Sequence, residues 1–251
     1  MGRLRNGGKN RRESDFLVFM RKINFSNNEY YHIYNRGVDK RDVFLDEGDY
    51  FRFLKSMTEF NTNKVDGGLY LKFLKERAIG DKGSASKLEV AEESFQGSAS
   101  KLEAEPLAPL VEFICYCLNP NHYHFILSQL TDKGIVKFMQ RLGTSYTMYF
   151  NTKNKRNGVL FQGKFKATQV TSFEHLLWLS VYVNTNAQIH GITNNAVDYL
   201  WCSYPAYLGI KDDDICNRNI ILDEVQNYKT IAADTAKFMK MKKEMDKFIL
   251  D

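Results

Sequence analysis

The residues best placed to do chemistry stand in two short groups. The first is Cys117-Leu-Asn-Pro-Asn-His122-Tyr-His124-Phe-Ile-Leu127. Side chains alternate along an extended strand, so His122 and His124 project from one face. Two adjacent imidazoles form half of a divalent-ion site. A bare His-x-His is a weak signal, because it also describes polar positions on a half-solvated strand. The second group is Tyr182-Val-Asn-Thr-Asn186. Its end residues lie four apart and are neighbours on a helix face. Brought against the histidine face, Asn186 would add an amide oxygen to the two imidazoles, leaving coordination positions open for phosphate oxygens. Tyr182 would then be a nucleophile beside a polarised phosphorus. The chain has fourteen tyrosines, and core packing is the ordinary role for any one of them. Tyr146 and Tyr149 are the competing phenols. They fall on the apolar stripe of another helix, where packing or base stacking suits them better.

The elements that must position these groups follow from periodicity. Tyr30 to Arg36 alternates and is aromatic-rich, which predicts a first strand. Its His32 reads as structural. Asp46-Glu47 opens a helix to about Asn61. Val111 to Leu118 is a buried strand, Asn119-Pro-Asn121 a tight break, and His122 onward a second central strand. Thr131-Asp132 caps a helix to about Asn151, Val159 to Val170 is extended, and Thr171-Ser172-x-Glu174 caps a helix from Phe173 to about Gln188. Trp201 to Tyr207 is an aromatic, turn-rich segment expected to pack on the core. From Leu222 the tail is helical, with Phe238, Met241, Met245 and Phe248 on one face.

Composition limits the alternatives. At 251 residues with 43% hydrophobic content, one main domain with a sizeable core is expected. No apolar run reaches the ~18 residues of a membrane span, and the basic start lacks the apolar region of a secretory leader. Cys115, Cys117, Cys202 and Cys216 have neither zinc-ribbon nor thioredoxin spacing and read as reduced structural thiols. Gly83 to Glu89 recurs as Gly97 to Glu103, a repeat within a polar stretch too poor in apolar surface to order itself. The expected organisation is a basic arm over 1–27, a main domain over 28–210 with a low-complexity insertion at 79–107, and a helical tail over 211–251. The net charge of +5 is modest, but its placement is not. Lys133, Lys137, Arg141, Lys153, Lys155, Arg156, Lys164 and Lys166 share a stretch whose only acid is Asp132. Interleaved Tyr146, Tyr149 and Phe150 offer stacking surfaces. Phosphate contacts plus stacking are what single-strand binding needs, although a solvated basic face over a normal core has the same composition.

Tyr31-His-Ile-Tyr-Asn-Arg-Gly37, Asn119-Pro-Asn-His-Tyr-His-Phe125, Leu142-Gly-Thr-Ser-Tyr-Thr147, Gly158-x-x-Phe-Gln-Gly-Lys-Phe165, Tyr182 to Asn186 and Trp201-x-Ser-Tyr204 together resemble the single-tyrosine HUH transposases, in particular the REP-associated tyrosine transposases. The resemblance spans about residues 28–210 outside the insertion. It implies a ferredoxin-like or RRM-like α/β (α+β) fold, an antiparallel sheet with helices packed on one face. It also implies metal binding by His122, His124 and Asn186, with Mg²⁺ or Mn²⁺ as the ion and Tyr182 as the nucleophile. Ala187 stands where the family helix has proline, removing a helix-ending signal. The implied activity is nicking and rejoining of single-stranded, hairpin-forming repeat DNA through a 5′-phosphotyrosine, by a cytoplasmic, nucleoid-associated protein with a possible homodimer and no membrane partner. Lys133, Lys137, Arg141, Tyr146, Tyr149, Lys155, Arg156, Lys164 and Lys166 are the expected DNA contacts. A replication-initiator or relaxase-like nickase, and a catalytically silent nucleic-acid-binding module, remain the alternatives at this level.

Overall fold

A computed structural model describes residues 23–63 and 108–250. Residues 1–22 of the expected arm, the expected insertion, and the side chain of Phe248 lie outside the described residues. The sheet is formed by β1 (Tyr30–Arg36), β2 (Val111–Asn119), β3 (His122–Gln129) and β4 (Lys166–Val170). Its order is β2-β3-β1-β4, and every pairing is antiparallel. The fold is thus the expected mixed α/β class. Of the extended segment expected over 159–170 only the last five residues form β4; Phe161 adds an isolated bridge to Gly37.

Strand alternation separates two faces. Tyr31, Ile33, Tyr123, Phe125 and Leu127 point one way, into a core shared with α1 (Glu47–Glu59) and α2 (Gly134–Lys153). There Phe53 meets Tyr146 edge to face at 4.8 Å, and Phe113 meets Phe138 at 5.4 Å. Each fully buried side chain of this size contributes roughly 2–3 kcal/mol of burial. The opposite face carries His32, Tyr34, His122 and His124. Beside them lies a second core of Cys115, Cys117, Ile126, Val170, Leu176 and Val181. Helices α1 and α2 lie on one face as expected. The histidine face is partly covered as well, by α3 (Phe173–Asn184), the single turn α4 (Asn186–Ile189) and the C-terminal elements.

Helix ends decide where α1, α2 and α3 begin. Asp46 caps α1 by accepting from Asp49 N at 3.1 Å, and Ser172 caps α3 by accepting from His175 N at 3.1 Å. Both caps follow the side-chain rule. The expected Thr131-Asp132 cap does not form. Lys133 takes the left-handed conformation at the N-cap of α2 without a side-chain bond, and Gly134 N donates to Thr131 O. A Cβ at Gly134 would collide with the Leu110 carbonyl, so this entry requires glycine. The helix expected to run unbroken from 173 to about 188 is interrupted at Thr185. Its hydroxyl donates back to Val181 O at 2.7 Å, a bond that bends helices.

The Trp201–Tyr207 segment packs on the core as expected. Trp201 stacks on Tyr50 at 4.5 Å and 12°, and the one-turn helix α5 (Tyr204–Tyr207) is buried. After the short α6 (Asn219–Leu222) comes the tail helix α7 (Tyr228–Leu250). It docks with Tyr228, Ala232, Thr235 and Ala236 inward. The expected apolar stripe of Phe238, Met241 and Met245 faces outward instead, each more than half exposed. No helix among the described residues is long and apolar enough to cross a membrane.

Candidate active site

The break at Pro120 and Asn121 reverses the chain so that β2 returns as β3 with Asn119 opposite His122 and Cys117 opposite His124. On its other edge β3 meets β1, which sets Tyr34 opposite His124 and Arg36 opposite His122. His32 sits one step further along the same face. A cleft of about 370 Å³ opens here, lined by Tyr34, Arg36, His122, His124, Tyr182 and His190, among others.

His122 has a defined proton arrangement. Asn121 Oδ1 lies 2.6 Å from His122 Nδ1 and can only accept, so Nδ1 carries the proton. Nε2 of His122 therefore presents its lone pair, which accepts from Asn119 Nδ2 at 2.8 Å. The same amide nitrogen donates to Asn186 Oδ1 at 2.6 Å, and that oxygen lies 3.3 Å from His122 Nε2. Two acceptors thus converge on a single donor group. Asn186 Nδ2 is buried without a hydrogen-bond partner, so the buried amide is held through its oxygen. His124 Nδ1 lies 2.9 Å from His32 Nε2, within hydrogen-bond reach.

The environment keeps these rings neutral. Burial, then the neighbouring His190, pulls His122 down to about 4. Burial, followed by His32 and His122, holds His124 well below the ordinary histidine value. Burial and His175 bring His32 to about 4. Neutral imidazoles keep a lone pair near pH 7, the condition for metal ligation. No three His, Cys, Asp or Glu side chains group as a metal site among the described residues. Asn186 Oδ1, 3.3 Å from His122 Nε2, is the amide oxygen beside the two imidazoles. Two imidazoles and one amide oxygen suit a hard or borderline divalent ion.

Tyr182, in the last turn of α3, stands perpendicular to His124 at 5.6 Å and 84°, and to His32 at 6.4 Å and 87°. Burial raises its phenol above the ordinary value, partly countered by the Asn186 amide. With Ala187 in the place of proline, Ile189 N and His190 N continue the helical bonding to Thr185 O and Asn186 O.

Residues 99–186 match the family described as "Transposase IS200 like". This segment is similar to the IS200-like transposases. It contains His122, His124, Tyr182 and Asn186, and it bears out the resemblance read from the motifs. No curated protein sequence matches the chain. A solved structure described as a REP-associated tyrosine transposase bound to a REP hairpin is similar at 9% identity, with a TM-score of 0.46. The similarity covers 80% of this chain and 98% of that one.

The fold does not gather all of the expected DNA contacts. Lys166 lines the histidine cleft. Lys164 lines a larger groove of about 750 Å³ between α2 and residues 159–165, which meets the cleft only at Asn35. Lys133, Lys137 and Arg141 belong to the start of α2, on the opposite side of the sheet from the histidines. Arg141 donates to Thr62 O at 2.6 Å, and Lys137 to Asp132 O at 3.0 Å. Arg156 braces its own turn through Asn151 and Val159, next to Lys155. Tyr146 is corrected from DNA contact to core residue: it is fully buried, and its hydroxyl donates to Val43 O at 2.6 Å. Tyr149 is half-buried, with its hydroxyl on Asp49 Oδ1 at 3.0 Å.

Several cleft residues escape a reading of the sequence. His32 looked structural, yet it touches His124. Asn119 looked like part of a turn, yet its amide bridges His122 and Asn186. His190 lies 5.3 Å from His122 and accepts from Lys243 Nζ at 2.8 Å. Lys243 is supplied by α7, far along the chain, and no local pattern announces it.

Proposed function

We propose that this protein is a metal-dependent single-stranded DNA endonuclease and strand transferase that acts at hairpin-forming repeats through a 5′-phosphotyrosine. The observation that carries this reading is the meeting of Tyr182 with His124 while Asn186 Oδ1 faces the lone pair of His122. Pure DNA binding needs no such combination.

His122, His124 and Asn186 would hold the ion, Mg²⁺ or Mn²⁺, which when bound supplies polarisation of the scissile phosphate. Tyr182 Oη attacks phosphorus, forming the O–P bond as the P–O3′ bond breaks. The phenol loses its proton to solvent, and the departing 3′-oxygen takes one up. Attack by a 3′-OH reverses the step and restores the phenol. Tyr182, whose phenol burial raises above its ordinary value, is protonated at rest and must give up its proton as it attacks. Arg36 and Lys166, both exposed at the cleft mouth, would hold phosphates on either side of the scissile position. Recognition of a hairpin suits a site open to an unpaired strand.

The test is cleavage of end-labelled hairpin DNA in Mn²⁺ and in chelator. Wild type should nick only with the ion, and His122→Ala and Tyr182→Phe should reduce the rate by at least about 10³-fold. Unchanged nicking in His122→Ala would remove the metal assignment. Tight hairpin binding with no nicking under any metal would leave a silent binding module.

A further inference from the structure

We infer that His32 is a positioning residue that sets the tautomer of His124. In this assignment His124 Nδ1–H donates to His32 Nε2, and the lone pair of His124 is presented from its Nε2. The inference rests on the proposed role of His124 as a metal ligand.

The two nitrogens are 2.9 Å apart and their rings are inclined by only 14°. Between two neutral imidazoles one proton occupies that contact, and its owner decides what His124 shows the cleft. If His32 donates, His124 must carry its proton on Nε2 and offers no lone pair there. If His124 donates, its Nε2 is an acceptor, matching the Nε2 lone pair of His122, which Asn121 fixes in the same way. The two histidines then have equivalent support: an acceptor behind each Nδ1 and a lone pair in front. Such partners behind a ligating ring fix its tautomer and its orientation.

The fold holds His32 to this task. Antiparallel pairing of β1 with β3 places it on the face of His124, one step along from the Tyr34 that sits opposite. Its ring is stacked on Tyr34 at 4.9 Å and faces the edge of Tyr182 at 6.4 Å. With Nε2 engaged by His124, His32 supports the site instead of contributing a ligand through that atom.

Long-range ¹⁵N–¹H correlation spectra of the metal-free protein near neutral pH read the tautomer directly. The expected result is His124 protonated at Nδ1 and bare at Nε2; the reverse pattern would overturn the inference. Mn²⁺ titration of His32→Phe and His32→Gln gives the second readout. His32→Phe removes the acceptor and should weaken Mn²⁺ binding by roughly 10–100-fold, while His32→Gln, whose amide oxygen can accept, should recover most of it. Equal Mn²⁺ affinity and an unchanged His124 tautomer in His32→Phe would overturn the inference. Hairpin binding in chelator and the melting temperature report whether each variant is folded. Wild type that binds no Mn²⁺ would instead defeat the metal reading, and the tautomer spectrum would still decide the role of His32.

Discussion

Tyr182 and Tyr146 carry the same phenol in different surroundings. Tyr146 is enclosed by Phe44, Phe53 and Phe161, and its hydroxyl serves Val43 O. Tyr146→Phe would leave that buried carbonyl without its donor and should cost about 1–2 kcal/mol in denaturant unfolding, with hairpin affinity unchanged. Tyr182→Phe should leave stability within roughly 0.5 kcal/mol and abolish the covalent DNA adduct. The apolar stripe of residues around Tyr146 was legible in the sequence as helix periodicity, which is why packing could be foreseen for it. The four-residue spacing of Tyr182 and Asn186 was equally legible, because a helix converts it into proximity. The bond between His32 and His124 was not, because it depends on which strand pairs with which, and alternation within one strand carries no record of its neighbours.

At the level of elements, β2, β3 and the helix caps at Asp46 and Ser172 follow from local pattern. The entry to α2 does not, because a close approach to Leu110 dictates Gly134, and Lys133 before it takes a left-handed conformation. The far end of α2 is tied back to α1 by Lys153, which donates to Asp46 at 2.7 Å and to buried Asp49 at 2.6 Å. Lys153→Met leaves Asp49 without its cation and should destabilise the fold by roughly 2 kcal/mol, below the range for a fully buried pair because Lys153 is partly solvated. The Lys153 hydrogen bond also holds the Asp46 carboxyl below its ordinary 3.8. A depressed carboxylate stabilises the fold above its unfolded value, and that contribution is lost as pH falls through the lower folded value. Asp46→Asn keeps a capping oxygen but cannot titrate. Thermal melts in acid should therefore show wild type losing more stability than Asp46→Asn as pH falls below 3.8.

The whole molecule places one sheet between two layers, with α1 and α2 closing the core on one side and the chemistry on the other. The C-terminal helix belongs to the second layer. Tyr228 on α7 accepts from Asn184 Nδ2 at 2.8 Å and contacts Ser180 Oγ at 3.1 Å, both on the helix of Tyr182. Tyr228→Phe strands those buried polar groups and should cost roughly 1–3 kcal/mol. Any loosening of α3 should appear as a lower rate of nicking with hairpin affinity retained. Charge is also apportioned by the fold. The basic stretch looked continuous in sequence, but α2 carries much of it away from the histidines, leaving Lys166 at the cleft. Lys166→Ala should weaken hairpin binding and lower the slope of log affinity against log salt by about one, whereas Lys137→Ala should leave nicking intact.

The central claim is that Tyr182 becomes covalently joined to DNA, and peptide mapping of the trapped adduct tests it most directly. Wild type would be incubated with single-stranded hairpin DNA and Mn²⁺, denatured and digested, and the modified peptide fragmented. The account predicts a nucleotide 5′-phosphate on Tyr182 and no adduct from Tyr182→Phe. An adduct on Tyr146, Tyr149 or any other residue, or one that survives Tyr182→Phe, would contradict it.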